Sequence, residues 1–404
     1  MTSSADRHVA AYDIVRALAM LLVIAGHSSY YWMMTPVGGI DYFRFLHDAG
    51  VADTAFHAWT DWFASGIYMF HMRIFFALSG AVFYLRLRQG AYDGIVAFLK
   101  KKAHRLIVPF VLATAFYAVP VKYLSGYWTG DAHVVRDAVL GQFLLLGNSH
   151  LWFLVVLFGA FVIVGWSVLT HPRIRAWLLE EHSWRVEAAL GVTILVLLLA
   201  DGTVGHLAQN HVHRMMQENI WWQLLEAPAA NLCTLGWSTL WMITGMRLEH
   251  WRERLAGRKL SAVLLVVLCV LCLAVLCGGY RWESHWQLPP GKGPVIFDEL
   301  VRLGLAIAGV TMTWGLGFLL ARTRAVRMRW IQALSRDSMG IYLYSDPLNY
   351  AILAMFAAVC GPAAFGSTSG SAALVALRFF GTLFGGWAVT LLVRRISARF
   401  RASF

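Results

Sequence analysis

Charge is scarce in this sequence. Asp, Glu, Lys and Arg make up 14% of its 404 residues, where a soluble domain carries about 25%. With a hydrophobic content of 59%, that shortfall excludes an ordinary water-soluble domain and points to lipid as the solvent. Acidic residues are scarcer still, 22 against 34 basic ones, for a formal net charge of +12. In a soluble protein such an excess would suggest nucleic acid. Here the basic residues sit in short loops between apolar runs, which fits membrane topology and leaves no nucleic-acid partner. Cysteine is sparse as well. Most of Cys233, Cys269, Cys272, Cys277 and Cys360 lie inside apolar runs, so no disulfide framework is expected. Cys269-x-x-Cys272 has no matching second pair and reads as buried thiols in a helix, with no metal site. The chain lacks a Gly-rich phosphate loop and a Gly-x-Ser-x-Gly elbow, which removes support for serine-hydrolase chemistry. It also lacks an internal repeat and a separate soluble domain. The first apolar run is too long for a cleavable signal peptide, and no small-residue cleavage site follows it.

What the sequence does have is apolar runs of membrane length. A crossing takes about 20 mostly apolar residues. Ten runs qualify, at 11–32, 62–85, 106–124, 149–169, 187–206, 226–246, 260–277, 297–320, 334–356 and 373–393. The expected fold is an all-α polytopic transmembrane bundle of about ten spans, one integral membrane domain over 1–404. Basic residues gather in alternate loops: 86–105, 173–185, 247–259, 322–329 and 394–401. By the positive-inside rule both termini are then cytoplasmic. The 18 Trp residues suit the bilayer interface.

Several ionisable residues fall inside these runs, where they are functional candidates by default. Asp13, Arg16 and His27 lie in the first. Eleven residues at about 100° each make three turns and roughly 20°, so Arg16 and His27 share a helix face about 16 Å apart along the axis. Asp13 can pair with Arg16 three positions on. A basic anchor and a histidine bonded to a neighbouring helix would give the same spacing. The second run holds His71 and Arg73 ahead of Ser79 and Gly80, and both ionisable groups are expected near the middle of one apolar helix. Lys101, Lys102 and Arg105 open the third run at the cytoplasmic face, where they suit either donor phosphates or lipid headgroups. Gly147 to Phe153, with His150 and Trp152, enters the fourth. In the ninth, Tyr342 precedes Ser345-Asp346-Pro347, and Pro347 frees a backbone carbonyl one turn earlier. His206, His211 and His213 read as solvated loop histidines.

Together these residues resemble the acyltransferase-3 family of multi-pass membrane O-acyltransferases. The family's first-span Arg-x10-His is matched by Arg16 and His27. Its second-span phrase is matched from Phe70 to Gly80, its Leu-Trp-Phe-Leu by Leu151 to Leu154, and its Gly-Ile-Tyr-Leu by Gly340 to Leu343. Two departures stand out. Lys102-x-x-Arg105 replaces an Arg-x-x-Arg pair, which weakens bidentate grip on phosphate. Ser345-Asp346 stands where the family has a histidine-containing stretch, so that histidine's role does not carry over.

The resemblance implies transfer of an acyl group from cytoplasmic acyl-CoA, acetyl-CoA in particular, to a hydroxyl of an extracytoplasmic carbohydrate or glycolipid. It implies no tightly bound cofactor and a place in the cell's inner or plasma membrane. The expected roles are general base for His27, with Arg16 and Asp13 beside it. Donor binding falls to Lys101, Lys102 and Arg105, helped by Arg16. The channel or acceptor site falls to His71, Arg73, Ser79, Trp152, Tyr342 and Asp346. A proton-coupled secondary transporter is the rival reading, since it too would place His, Arg and Asp in the membrane.

Overall fold

The structure, a computed structural model, describes residues 4–29, 32–35, 38–41, 55–131, 133–145, 149–180, 182–215, 220–254, 261–285 and 295–402; within these, several side chains, including those of 206–215, 220–233 and 280–285, lie outside the description. In chain order the first helices are α1 (Ser4–Ser29), α2 (Ala55–Tyr68), α3 (His71–Arg88), α4 (Ile95–Ala113), α5 (Val119–Leu124), α6 (Val134–Ala138) and α7 (Trp152–Thr170). They are followed by α8 (Pro172–Leu179), α9 (Trp184–Met215), α10 (Ile220–Arg254), α11 (Ala262–His285), α12 (Val295–Leu320), α13 (Arg329–Cys360) and α14 (Thr368–Ala402). A π-helical turn, Thr114–Ala118, joins α4 to α5. A short antiparallel hairpin pairs β1 (Trp32–Thr35) with β2 (Gly38–Asp41).

Among the described residues, nine helical stretches are long and apolar enough to cross a membrane. The chain is a polytopic α-helical membrane protein. The expected span at 226–246 falls on α10, whose residues 220–233 have side chains outside the description. The second expected span differs from the single helix anticipated. It is broken at Met69–Phe70 into α2 and α3, and Phe70 leaves helical geometry at φ −139°. His71 and Arg73 therefore lie in the first turn of α3, not in the middle of a helix. There Arg73 Nη1 donates to the Met69 carbonyl at the break, supplying a donor where the helix has lost its own.

The chain forms two compact units that interleave in sequence: Met1–Tyr68, Pro109–Trp152 and Arg324–Phe404 make one, and Met69–Val108 with Phe153–Thr323 the other. In the first unit α13 packs along both α14 and α1. The approach to α14 is close enough that a Cβ on Gly340 would lie 2.3 Å from Thr390 Cγ2. Tyr127, Trp128, Tyr350, Leu353, Phe365 and Leu374 form an apolar core. The β-hairpin lies against it: Gly39 N donates to Tyr127 O at 2.9 Å. Gly38, at φ +118°, has no room for a side chain beside Tyr127 and Trp128.

In the second unit α3 crosses α10 backbone to backbone. A Cβ on Gly80 would lie 1.8 Å from Met242 O, and one on Gly245 would lie 1.8 Å from Ala77 O. The Leu-Ser-Gly phrase of the second run is thus a helix-crossing device of the small-residue kind. Near one end of the same pair, buried Glu187 bonds Arg247 and Trp251, and Tyr84 OH meets His250 Nδ1 at 2.8 Å.

The loop charges predict the orientation. In a cysteine-free background, a cysteine at Thr129, exposed after α5, should react with an impermeant reagent on intact cells. One appended after Phe404 should react only after permeabilisation. Labelling of the C-terminal cysteine on intact cells would overturn the cytoplasmic assignment.

Candidate functional site

The site begins with the register of two helices. Arg16 on α1 donates from Nη1 to Ser335 Oγ on α13 at 3.3 Å. One level further, His27 Nδ1 lies 3.1 Å from Asp346 Oδ1. Eleven residues separate the two contact points on each helix, so α1 and α13 run in the same direction here, with polar contacts about 16 Å apart. At the first level Arg16 pairs with Asp13 at 3.1 Å, and Ser335 Oγ donates to Asp13 at 2.9 Å. Asp13 thus serves Arg16 and Ser335, while the carboxylate at His27 is Asp346.

His27 sits in the last turn of α1. Its Nδ1 faces Asp346 and, at 3.3 Å, the hydroxyl of half-exposed Tyr68. Among the described residues nothing bonds Nε2. The side chain is 17% exposed and that of Asp346 only 5%. The backbone of this turn is held from α14: fully buried Arg378 donates from Nη2 to His27 O at 2.7 Å and from Nε to Asn349 Oδ1 at 3.3 Å. Asn349 follows Asp346 by three residues on the same face of α13.

Pro347 supplies the next connection. Having no N–H, it leaves Leu343 O without its intrahelical donor. His150 Nε2 fills the vacancy at 3.3 Å. A second carbonyl of that turn, Tyr344 O, accepts from Tyr117 at 3.0 Å. Tyr342 OH donates to the carbonyl of His150, and the two rings meet edge to face at 5.6 Å. Fixed in this way, His150 places Nδ1 3.2 Å from Asp346 Oδ2. That is an ion-pair separation without hydrogen-bond alignment, and neither buried atom has another hydrogen-bond partner among the described residues. Lys122 Nζ stands 3.9 Å from the same oxygen. One carboxylate therefore faces two imidazoles and an ammonium.

Other sequence-predicted residues lie elsewhere. Trp152 opens α7 just after His150. In the second unit, buried His71 and half-buried Arg73 share the first turn of α3, with Arg73 Cζ 5.2 Å over the Trp237 ring. Ser79 is half-buried on the same helix. Lys101 and Arg105 are exposed. Lys102 packs its ammonium 3.5 Å from the Phe161 ring centroid and 5.4 Å from that of Phe98, so it is partly committed to a cation–π contact. The side chains of His206, His211 and His213 lie outside the description. Cys269 and Cys272 are buried thiols, the first 3.7 Å from Met312 O. A buried Ser–His pair also occurs: His57 Nε2 is 2.7 Å from Ser371 Oγ. Ser371 gives its one proton to Phe365 O, so His57 is the donor to the serine and the pair is a structural clamp.

Comparison with known families decides the identity. The family whose sequence model describes an acyltransferase domain matches residues 9–393. The chain belongs to the acyltransferase-3 family. It is a membrane acyltransferase. No curated protein and no solved structure matches it. Within this acyltransferase, the departure at Ser345-Asp346 coincides with the carboxylate on His27. Sequence reasoning gave no role to His150, Lys122, Arg378 or Tyr68. A lone arginine inside the apolar run 373–393 was a usable signal for Arg378.

Proposed function

We propose that this acyltransferase moves a short acyl group, acetyl foremost, from cytoplasmic acetyl-CoA to a hydroxyl of an extracytoplasmic carbohydrate or glycolipid in the cell's inner or plasma membrane. The observation that carries the reading is His27, with Asp346 at Nδ1 and Nε2 unbonded. A carboxylate at Nδ1 favours the tautomer with its proton there and leaves Nε2 as the base. Nε2 takes the acceptor's hydroxyl proton as the oxygen attacks the thioester carbonyl. The C–S bond then breaks, and the departing CoA thiolate takes that proton from His27. Exposed Arg105 and Lys101 suit the donor's phosphates; the basic loops favour a cytoplasmic donor.

The reading is tested by transfer itself. Membranes containing the protein and supplied with labelled acetyl-CoA should release CoA thiol and acquire label in their glycans in equal amounts. A transporter would move solute without thioester cleavage. In this assay Arg105→Ala should raise KM for acetyl-CoA by about 10-fold with little change in stability, because it removes an exposed charge-assisted contact. Lys102→Met leaves an apolar side chain of similar length beside Phe161 and removes the charge, so it should act in the same direction. An unchanged KM in both variants would reduce the basic run to a topology anchor.

A further inference from the structure

Lys122 is fully buried, its side chain 0% exposed, and the base mechanism assigns it no step. A lysine taken so far from water must be compensated. Gln142 Oε1 accepts from Nζ at 3.1 Å. The ring centroids of Tyr127 and Tyr350 lie 4.8 and 4.9 Å away, offering their negative faces to the charge. Asp346 Oδ2 stands 3.9 Å from the same nitrogen. This is a pocket built to keep an ammonium charged beside one carboxylate.

His150 shows why that charge matters. Its Nε2 faces Leu343 O, and a carbonyl only accepts, so Nε2 carries a proton. Its Nδ1 faces Asp346 Oδ2 at 3.2 Å. With no proton on either atom, two lone pairs would oppose each other in a dry site. The proton can rest on Nδ1, giving an imidazolium beside a carboxylate, or on Oδ2, giving a neutral pair. Low-dielectric surroundings favour the neutral pair. A protonated Asp346 would be a poor acceptor for the Nδ1–H of His27, and the base would lose its orientation. A fixed ammonium at Oδ2 favours the ionised form instead.

We infer that Lys122 is a positioning residue for acyl transfer, whose charge keeps the shared proton on His150 and leaves Asp346 an anion aimed at His27. The inference rests on His27 being the base. Its tests separate the two claims. Lys122→Met should lower kcat about 10–100-fold, with KM for acetyl-CoA unchanged. The loss should vanish in an Asp346→Asn background, since contacting residues that act as a unit are not additive. Infrared difference spectra of the purified protein supply a readout independent of turnover. Lys122→Met should gain a protonated-carboxyl C=O band that Lys122→Met/Asp346→Asn lacks. Should Lys122→Met fail to fold, Lys122→Gln removes the charge while keeping a donor to Gln142, and the same band is expected. Wild-type kcat without that band, in whichever charge-removing variant folds, would overturn the inference and leave the base mechanism standing. The band in a protein whose His27→Gln variant turns over normally would leave the charge relation intact and remove His27 from the reaction.

Discussion

His27→Gln is expected to lower acyl transfer on the order of 10²–10⁴-fold, the contribution of a positioned acid–base group, while donor binding and fold persist. Glutamine keeps a polar group near Asp346 and Tyr68 but cannot take up a proton. The main-chain anchor from Arg378 to the carbonyl of residue 27 does not depend on the side chain. His27→Ala should be equally inactive and less stable, because Asp346 would face a space where a ring had been. Labelled acetyl transfer measured beside thermal unfolding distinguishes chemistry from packing. A histidine that only fills space predicts the reverse order, an active Gln variant and an unstable Ala variant. Wild-type turnover in His27→Gln would end its candidacy as base.

Asp346→Asn should cost a comparable factor, on the order of 10²–10⁴-fold in kcat, for a different reason. The amide can present its NH₂ to Nδ1 of His27. That selects the tautomer with the proton on Nε2, and the base is then already protonated where it must accept. The same change removes the carboxylate 3.9 Å from Lys122, and a buried ammonium that loses an anionic neighbour is less well compensated. The thermal midpoint should therefore fall as well. Asp346→Glu restores charge at the wrong length and should recover stability more than turnover. Full activity in Asp346→Asn would show that His27 needs no carboxylate partner.

The all-α membrane class and the Arg16–His27 register were legible because they follow from local periodicity, whereas ten spans were expected and nine stretches qualify among the described residues. Asp13 and Arg16 are three residues apart and do pair. The carbonyl freed by Pro347 was also foreseeable from the missing N–H. What received that carbonyl was not, because His150 is 193 residues away in sequence and nothing local links them. Lys122 sits near the end of the run 106–124, where a lone cation carries no signal of a site. Its burial depends on Tyr127, Tyr350 and Asp346 converging from separate segments. The break at Met69–Phe70 was invisible to hydropathy, since both flanks are apolar and the Arg73 side chain replaces the lost backbone donor. Lys102 was legible as part of a basic cluster, but its stacking on Phe161 needs a partner helix that no pattern within α4 specifies.

The bond from Arg378 to the carbonyl of His27 spans 351 residues, and that distance has a meaning in time. Ribosomes extend a chain at about 5–20 residues per second, so α1 is made roughly 20–70 s before the arginine that fastens its last turn. During that interval the residues around His27 are made one at a time, His150 before Asp346, and Arg378 last. The bond that fastens the last turn of α1 can form only once α14 has been made, so a chain stopped before Arg378 lacks it.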